Sequence, residues 1–547
     1  MKNDQPRYAH GLGGVTFHHP GAFWFGAVAI IIGVILHLPM YVCARDAGYR
    51  MVGMPMDAPM MIGMFLIIVG LVAALYGLCP PLRRTTKTSS PVQVRALDAA
   101  PICGAHVGLL FIMAIAVTID VMKPTTIAFV MPGMALEYGL RSPLNPTGET
   151  PVAYLPLFAI TGMVLGSFLW GWLGDRMGRR AAILFAGITF IATSICGAMP
   201  DYRWNFFMCF VMGMGVGGML PICYVLLAET IPAKHRGWLM VLIGGDIAAA
   251  YILTSWLAAE LMPLYSWRIM WLLGLPTGVM LIFLNRWIPE SPRYLFSRGR
   301  QAEARSVMDR FGATMVEAPP ELEAETAVKS GWSELFAGPL RGQSFAIVLL
   351  AIGAGLVLFG FNLWIPSNLR KLGFDDMTAD KILRDSALIG FPFTFVVAWM
   401  YGFWSSKKTI VLLTAMTALS LFGLAAMGEA IAANDFLLRA LLVAPIWGIN
   451  TVTAVLSVYS SEIFPTRIRS RGTGLAAGAS KAGGVLIVFL VAFGVAPLSI
   501  SGTALIGGIP VALAALAILI FGVETRNRQL EEITGEAFQP ANAAPLV

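Results

Sequence analysis

An acid and a base, Asp120 and Lys123, stand three residues apart in the apolar segment TIDVMKPTT. A charge at the centre of a bilayer costs at least about 2.5 kcal/mol on insertion scales, so ionisable groups there usually mark substrate or proton pathways. An acid that changes its protonation state suits a proton carrier, and a fixed cation near the midplane suits a substrate carboxylate. The spacing also permits an alternative, in which the two side chains neutralise each other or face a neighbouring helix as structural groups.

Further ionisable residues fall inside apolar segments, at Asp246, Arg439 and Lys481. We predict that Asp120 is the proton carrier, with Asp246 as the second candidate. Lys123 and Lys481 are the predicted partners of a substrate anion. Arg439 is a weaker candidate for substrate binding, because its position near the outer end of its segment lets the guanidinium reach the membrane interface.

Apolar segments long enough to span a membrane recur along most of the chain. Of its 547 residues, 57% are hydrophobic and only 13% are charged. A window of about 19 residues predicts fourteen transmembrane helices, near 21–43, 58–80, 104–130, 152–174, 181–199, 204–228, 239–261, 267–288, 344–366, 383–403, 409–431, 436–459, 473–496 and 502–523. The first is interpreted as a retained helix, not a signal peptide, since a second spanning segment follows directly. The fold class predicted is an all-α polytopic membrane protein.

Lysine and arginine clusters fall in alternate segments between the predicted helices. The positive-inside rule then places both termini in the cytoplasm, in an inner or plasma membrane. The positive charge is thus a topology signal, and nucleic acid is not needed as a partner to explain it. The six cysteines lie in or beside apolar segments without CxxC spacing, so we interpret them as small hydrophobic residues and expect no metal site.

Two polar linkers divide the chain into a pattern of two, six and six helices. The predicted parts are an N-terminal extension with two extra transmembrane helices (1–80), a cytoplasmic linker (81–103), an N-terminal six-helix bundle (104–288), a cytoplasmic linker with short helices (289–343), a C-terminal six-helix bundle (344–523) and a cytoplasmic tail (524–547).

An internal repeat supports the six-plus-six part. The segments ETIPAKHR and EIFPTRIR share the pattern E-x-x-P-x-x-x-R, which places Glu229 with Arg236 and Glu462 with Arg469. Both copies lie at the predicted cytoplasmic end of the fourth helix of their bundle. Duplicated halves are typical of transporters whose two bundles rock about a central site.

The segment GWLGDRMGRR lies where the second core helix is expected to reach the cytoplasm. Gly171 permits a close approach between helices, and Gly178 permits a tight turn. Asp175 can accept hydrogen bonds from a helix N-terminus or from arginine, while Arg179 and Arg180 hold the loop inside. An ordinary cytoplasmic loop would explain the arginines, but not the acid with its glycines.

Together with ESPRYL, SEIFPTRIRSRG and ETRNRQLEEI, this segment resembles the major facilitator superfamily, in the branch of sugar porters and metabolite:proton symporters. The resemblance covers about residues 104–535 and implies two six-helix bundles around a midplane cavity that opens alternately to either side. It also implies that the residues of GWLGDRMGRR and of ETIPAKHR belong to a cytoplasmic gate. Glu462 and Arg469 would be their counterpart in the second half.

The sequence departs from that family pattern in both halves. The second-half loop YGFWSSKKTI contains no acid, and Cys209 stands where many proton-coupled relatives carry an arginine. The seventh core helix, VLFGFNLWIPSNLRKLGF, lacks the paired glutamines of sugar porters and resembles that of aromatic-acid and nicotinate-type symporters. Asn362 and Trp364 become candidate substrate-binding residues on that basis, with packing or an interfacial aromatic belt as the alternative.

We therefore predict a proton symporter for a small organic anion, without a cofactor. A facilitator or exporter of neutral sugars, polyols or drugs is the alternative within transport. A non-transporting receptor or scaffold, with a protein partner on the extra helices, is the alternative from another class. An enzyme is not expected, because no Gly-rich phosphate loop, metal-ligand spacing or nucleophile motif is found in the sequence.

Overall fold

The structure is a computed structural model, and it describes residues 9–11, 15–80, 92–93, 97, 100–142, 145, 147–313, 316–317, 332–338, 340–362, 365, 369, 372–374, 382, 385–386, 389–465, 468–492, 499–528 and 533. Almost all of this chain is helical. The described strands form two short antiparallel pairs, β1 (Ala9–Gly11) with β2 (Val15–Phe17) and β3 (Val92–Gln93) with β4 (Val316–Glu317).

The helices follow one another in chain order. They are α1 Pro20–Ala47, α2 Ala58–Leu78, α3 Gly104–Glu137, α4 Tyr154–Met177, α5 Arg179–Ala198, α6 Tyr202–Thr230, α7 Ala233–Tyr265, α8 Ile269–Trp287, α9 Pro292–Ser297, α10 Gln301–Arg310, α11 Leu340–Phe361, α12 Phe393–Trp404, α13 Ser406–Ala433, α14 Asp435–Ile463, α15 Arg469–Ala492 and α16 Ile500–Phe521, with a 3-10 turn at Trp332–Phe336.

All of these helices except α9, α10 and α12 are long and apolar enough to cross a membrane, which makes thirteen such helices in the described residues. They match thirteen of the predicted segments. The remaining prediction, 383–403, overlaps the shorter apolar helix α12 and includes positions outside the described residues. The prediction of an all-α, multi-pass membrane protein is confirmed.

The chain packs as two compact units. One contains residues 1–88, 111–223 and 249–294, and the other contains residues 89–110, 224–248 and 295–547. These units group residues by spatial contact, so the bundles 104–288 and 344–523 stay a prediction.

The two extra helices, α1 and α2, form an antiparallel hairpin in the first unit. A Cβ at Gly26 would collide with the backbone of Gly70 and Ala74, and a Cβ at Gly33 would collide with the backbone of Gly63. Glycine therefore permits the close backbone approach that holds membrane helices together by van der Waals contact. The hairpin packs against α5, whose 18-residue apolar segment is entirely buried.

Prolines interrupt the hydrogen bonding of the spanning helices at defined carbonyls. Pro221 in α6 has no N–H, so the carbonyl of Gly217 loses its α-helical donor. The hydroxyl of Ser167 on α4 donates to that carbonyl at 2.7 Å. In α3, Pro124 likewise removes the helical donor of the Asp120 carbonyl.

Candidate functional site

The motif GWLGDRMGRR forms the junction between α4 and α5. Gly171 is buried in α4, and Gly178 takes a positive φ of 96° at the break between the two helices. The carboxylate of Glu290 accepts hydrogen bonds from the backbone N–H groups of Arg179 at 2.9 Å and Arg180 at 3.3 Å. Glu290 therefore caps the N-terminus of α5, where the helix dipole favours an anion.

Burial raises the pKa of the Glu290 carboxyl above its usual range. The N–H donors of Ser291, Arg179 and Arg180 and the charge of Arg179 lower it again, but they offset the effect of burial only in part. The cap is thus an acid that is costly to ionise in its site.

The arginines of the motif are buried, with Arg179 4% exposed and Arg180 6% exposed. Arg179 lies 3.7 Å from the carboxylate of Asp175 and over the ring of Tyr294 at 5.6 Å. Arg180 donates to the side chain of Asn285 at 3.4 Å. These side chains hold the ends of α4 and α8 against the start of α5.

A second glutamate caps α13 in the second unit. The carboxylate of Glu524 accepts hydrogen bonds from the backbone N–H of Ser406 at 2.9 Å and from its hydroxyl at 2.6 Å, and the hydroxyl of Ser405 donates to it as well. Burial alone raises the pKa of the Glu524 carboxyl, but the serine hydrogen bonds outweigh it and hold the pKa below its usual range. The loop YGFWSSKKTI lacks an acid of its own, and Glu524 supplies one.

Sequence reasoning did not single out Glu290 or Glu524 as site residues. Each is the first residue of a segment that carries the family resemblance, ESPRYL or ETRNRQLEEI, and each follows the last helix of a predicted bundle. That repeated position was the available signal.

The two copies of E-x-x-P-x-x-x-R meet across the repeat in the second unit. Arg236 Nε lies 3.6 Å from Glu462 Oε1, and Arg469 Nη1 lies 3.6 Å from Glu229 Oε1. None of these four side chains is more than 3% exposed. The sequence groups each acid with the arginine of its own copy, whereas the structure joins each acid to the arginine of the other copy.

Glu462 also receives hydroxyl donors. Tyr401 donates to Glu462 Oε2 at 2.8 Å, and Thr525 donates to the same oxygen at 2.6 Å. Arg236 in turn donates to the carbonyl of Arg528 at 2.9 Å. The segment that follows α16 is therefore tied to the repeat motif by direct hydrogen bonds.

Asp120 and Lys123 are both buried in the first unit, with exposures of 2% and 6%. The Lys123 ammonium lies 5.6 Å from the ring centroid of Phe190 on α5, and a Cβ at Gly274 on α8 would collide with it. Asp120 lies close enough to Cys223 on α6 to act on its thiol electrostatically. The described neighbours of the two side chains differ, and the roles of both residues stay predictions.

The other predicted residues occupy distinct places. Asp246 begins the segment Asp246–Tyr265 after a break at Gly245 in α7, so its carboxylate stands in a first helical turn. Lys481 lies in α15 and is partly buried. Arg439 pairs with Asp385 at 3.0 Å and with Asp435 at 2.8 Å, so its guanidinium already has two carboxylate partners.

Asn362 directly follows a π-helical turn, Val357–Phe361, at the end of α11. Its side-chain oxygen Oδ1 is buried and has no hydrogen-bond partner among the described residues. A buried acceptor without a donor costs free energy, and a ligand donor would recover it. Trp364, predicted beside it, lies outside the described residues.

Comparison with known families matches most of the chain. The family model described as "Sugar (and other) transporter" matches residues 137–537, and the model "MFS/sugar transport protein" matches residues 22–235.

Among similar proteins, the niacin transporter NiaP of Acinetobacter baylyi is 25% identical over 80% of this chain and 99% of its own. A putative niacin/nicotinamide transporter of Bacillus subtilis is 27% identical over 75% of this chain and 94% of its own. Polyol transporter 5 of Arabidopsis thaliana is 28% identical over 68% and 76%.

Among solved structures, the proton:xylose symporter XylE bound to 6-bromo-6-deoxy-D-glucose superposes with a TM-score of 0.65 at 20% identity, over 78% of this chain and 98% of that one. The inward-open form of XylE from E. coli gives a TM-score of 0.55 at 19% identity, over 78% and 99%. The fold is therefore that of the major facilitator superfamily. With a family model that matches well over half of it, the chain belongs to the sugar transporter family of that superfamily and is a membrane transporter, not an enzyme.

Proposed function

We propose that the protein couples the movement of a small organic anion to protons by alternating access, in an inner or plasma membrane with both termini in the cytoplasm. The observation that carries this proposal is the pair of buried ionisable side chains on α3, Asp120 and Lys123, in separate surroundings. Ionisable groups inside transmembrane helices are costly, and they usually mark a substrate or proton pathway. The named substrates of two relatives, niacin and niacin/nicotinamide, support a small aromatic acid as the anion.

Asp120 is the proposed proton carrier. Its carboxylate is buried beside α6, and its main-chain carbonyl lacks a helical donor because of Pro124. A buried carboxyl can take up and release a proton as its surroundings change between wet and dry, because desolvation disfavours its charged form. Asp246, at the start of its helical segment, is the second candidate.

Three side chains are the proposed contacts of the substrate. Lys123 and Lys481 supply cations for its carboxylate, and Asn362 supplies a buried acceptor for a hydrogen-bond donor. Arg439 is left out of this set because two carboxylates occupy its guanidinium.

The capped junctions and the crossed ion pairs are the proposed cytoplasmic gate. A gate needs interactions that form in one state and break in another, and charge-assisted contacts between buried groups have the required strength. Glu229, Arg236, Glu462 and Arg469 meet this need, and Asp175 with Arg179 and Arg180 adds a first-half contact.

A neutral polyol is the second candidate substrate. Asn362 Oδ1 accepts hydrogen bonds, so it fits a hydroxyl better than a carboxylate. The likeness to Polyol transporter 5 points the same way.

Uptake into proteoliposomes tests the proposal. Labelled nicotinate, benzoate and mannitol are supplied with and without an inward proton gradient. We expect a gradient to drive accumulation of an acid by the native protein. Asp120→Asn should abolish that accumulation but preserve exchange of the acid across the membrane, because exchange needs no net protonation cycle.

The matched control is Asp246→Asn, which removes the other candidate acid. Loss of gradient-driven uptake in that variant, with normal uptake in Asp120→Asn, would move the proton site to Asp246. Mannitol uptake that ignores the gradient would favour the polyol alternative.

A further inference from the structure

A cavity of about 580 Å³ lies between the loop of the extra hairpin and the end of α7, within the first unit. The hairpin contributes Arg45, Gly48 and Tyr49, and the α7 end contributes residues 262–266. Neither the transport proposal nor the gate uses any of these residues.

The cavity opens on the face opposite the GWLGDRMGRR junction. At the far end of α2, the carbonyl of Pro80 accepts a hydrogen bond from Arg176 of that junction at 2.9 Å. Because α2 has 21 residues, its two ends are separated by about 30 Å. The loop that precedes α2 therefore stands on the outer face in the predicted topology.

Tyrosine rings form one wall of the cavity. Tyr41 and Tyr49 stack with their centroids 4.8 Å apart, and Tyr49 meets Tyr265 edge to face at 6.0 Å. The hydroxyl of Tyr41 donates to the carbonyl of Tyr265 at 2.8 Å. These contacts fix the position of the ring of Tyr49 relative to the end of α7.

The charge of the cavity is positive. Arg45 is exposed, and within the described part of the chain its guanidinium forms no ion pair and no hydrogen bond. No aspartate or glutamate stands among the residues that line the cavity. Arg45 also lies near the C-terminal end of α7, where the helix dipole favours a cation by about 0.3–1 kcal/mol. That structural role would explain the charge of Arg45, but it would not explain the tyrosine rings beside it.

The backbone is strained at this cavity and almost nowhere else in the described chain. Among the described residues, three that are not glycine have a positive φ, namely Tyr49 at 62°, Ser266 at 63° and Asn527 at 57°. Two of the three, Tyr49 and Ser266, line the cavity. Left-handed backbone costs a residue such as tyrosine about 1–2 kcal/mol, and such strain is concentrated where a ligand is clamped.

From these observations we propose that the cavity is a binding site for a small aromatic carboxylate. The carboxylate pairs with the guanidinium of Arg45, which can donate two parallel hydrogen bonds to it. The ring of the ligand packs against Tyr49 and Tyr265. This site is separate from Asp120 and Lys123, and it does not require that the chain transport the ligand.

The site is continuous with the outer end of α3. Next to Ser266, the indole of Trp267 donates to Glu137 at 2.9 Å, and Arg268 pairs with the same carboxylate at 2.7 Å. The backbone N–H of Met51, from the hairpin loop, donates to Glu137 at 2.8 Å. A ligand that bridges Arg45 and Tyr265 therefore strengthens a contact between the hairpin and the last residue of α3.

Ligand-observed fluorine NMR tests the site with 4-fluorobenzoate and the full-length protein in lipid nanodiscs. We expect Arg45→Gln to weaken binding of the probe at least about threefold, in the range of an exposed ion pair. Arg50→Gln removes the same charge from the same loop, outside the cavity, and should leave binding unchanged. The neutral analogue 4-fluorobenzyl alcohol should bind more weakly than the acid.

A second variant separates binding from folding. Tyr49→Gly removes the ring at a backbone position that glycine adopts without strain, so the protein should remain folded while the part of the probe binding that depends on Arg45 is lost. Equal affinity in Arg45→Gln, Arg50→Gln and the native protein would overturn the site, as would full affinity in Tyr49→Gly or no binding to the native protein. Failure of acid uptake in proteoliposomes, with Arg45-dependent binding intact, would count against the transport proposal alone.

Discussion

The N-termini of α5 and α13 are both capped by a glutamate, but the groups around the two glutamates differ. In both, a glutamate that follows the last helix of a predicted bundle accepts the N–H groups that begin a helix. Around Glu290 the neighbours are buried arginines, whereas around Glu524 they are serine hydroxyls. The repeat thus retains the acceptor and its position, while the donors around it have diverged.

This contrast extends to the crossed ion pairs. Glu462 is held by the guanidinium of Arg236 and by the hydroxyls of Tyr401 and Thr525. Hydroxyl groups therefore donate to both Glu462 and Glu524. In this region, which includes the loop YGFWSSKKTI, hydroxyl donors add to the ion pair of Glu462 and supply side-chain donors to Glu524.

The largest expected effect separates the guanidinium from the hydroxyls at Glu462. Arg236→Ala leaves a buried carboxylate without its cation and should lower the free energy of unfolding by about 3–5 kcal/mol. Tyr401→Phe removes one neutral donor and should cost about 1 kcal/mol. Thermal unfolding in detergent measures both. Equal losses in the two variants would show that hydroxyls, and not the arginine, hold this acid.

A control tests the pairing itself. The double change Arg236→Leu with Glu462→Leu removes both charges and should recover most of the stability lost in Arg236→Ala. If the double variant is as unstable as the single one, the loss comes from packing around the arginine stem.

An intermediate effect is expected at Glu524. In Glu524→Gln the amide keeps one acceptor oxygen and loses the charge-assisted bonds from Ser405 and Ser406, so stability at neutral pH should fall by about 1–2 kcal/mol, reduced by the partial exposure of the site. The pKa of the Glu524 carboxyl lies below its ordinary value of 4.5, so its contribution to stability is present above about pH 4.5 and is lost as the pH falls through the folded-state pKa. A destabilisation by Glu524→Gln that persists below that range would contradict this assignment.

The smallest effect at neutral pH is expected at Glu290, with the opposite pH dependence. Because burial raises the pKa of the Glu290 carboxyl above its ordinary value of 4.5, the contribution of this group to stability is complete below about pH 4.5 and is lost as the pH rises through the folded-state pKa. Glu290→Gln should therefore gain stability relative to the native protein as the pH rises from about 4.5. Relative to the native protein, unfolding midpoints below about pH 4.5 for Glu524→Gln and above about pH 4.5 for Glu290→Gln should show slopes of opposite sign, and slopes of the same sign would remove the distinction between the two caps.

The sequence predicts the spans and the repeat well because hydropathy and short motifs are local properties. It could not predict the caps, since Glu290 is 111 residues from Arg179 and Glu524 is 118 residues from Ser406. Nor does spacing along the chain reveal that Arg236 pairs with Glu462 of the other copy, which is 226 residues away.

Apolar faces carry a similar ambiguity. A helix face that contacts lipid and a face that contacts another helix are both apolar. Hydropathy therefore predicts neither the packing of the hairpin against α5 nor the neighbours of Lys123. Asn362 was a candidate by resemblance alone, and its buried Oδ1, which has no hydrogen-bond partner among the residues the structure describes, gives that candidate a physical reason.

The seat of the hairpin on α5 has a consequence for how the protein responds to its bilayer. Side chains such as Phe25, Val28 and Phe65 are exposed on the hairpin, while the apolar segment of α5 is fully buried. The exposed apolar side chains of α1 and α2 are the surface that this region offers to acyl chains, and tilt of such helices is one response to hydrophobic mismatch, at a cost of a fraction of a kcal/mol per Å. The helix that packs against Lys123 offers acyl chains no part of its apolar segment, because that segment is fully buried.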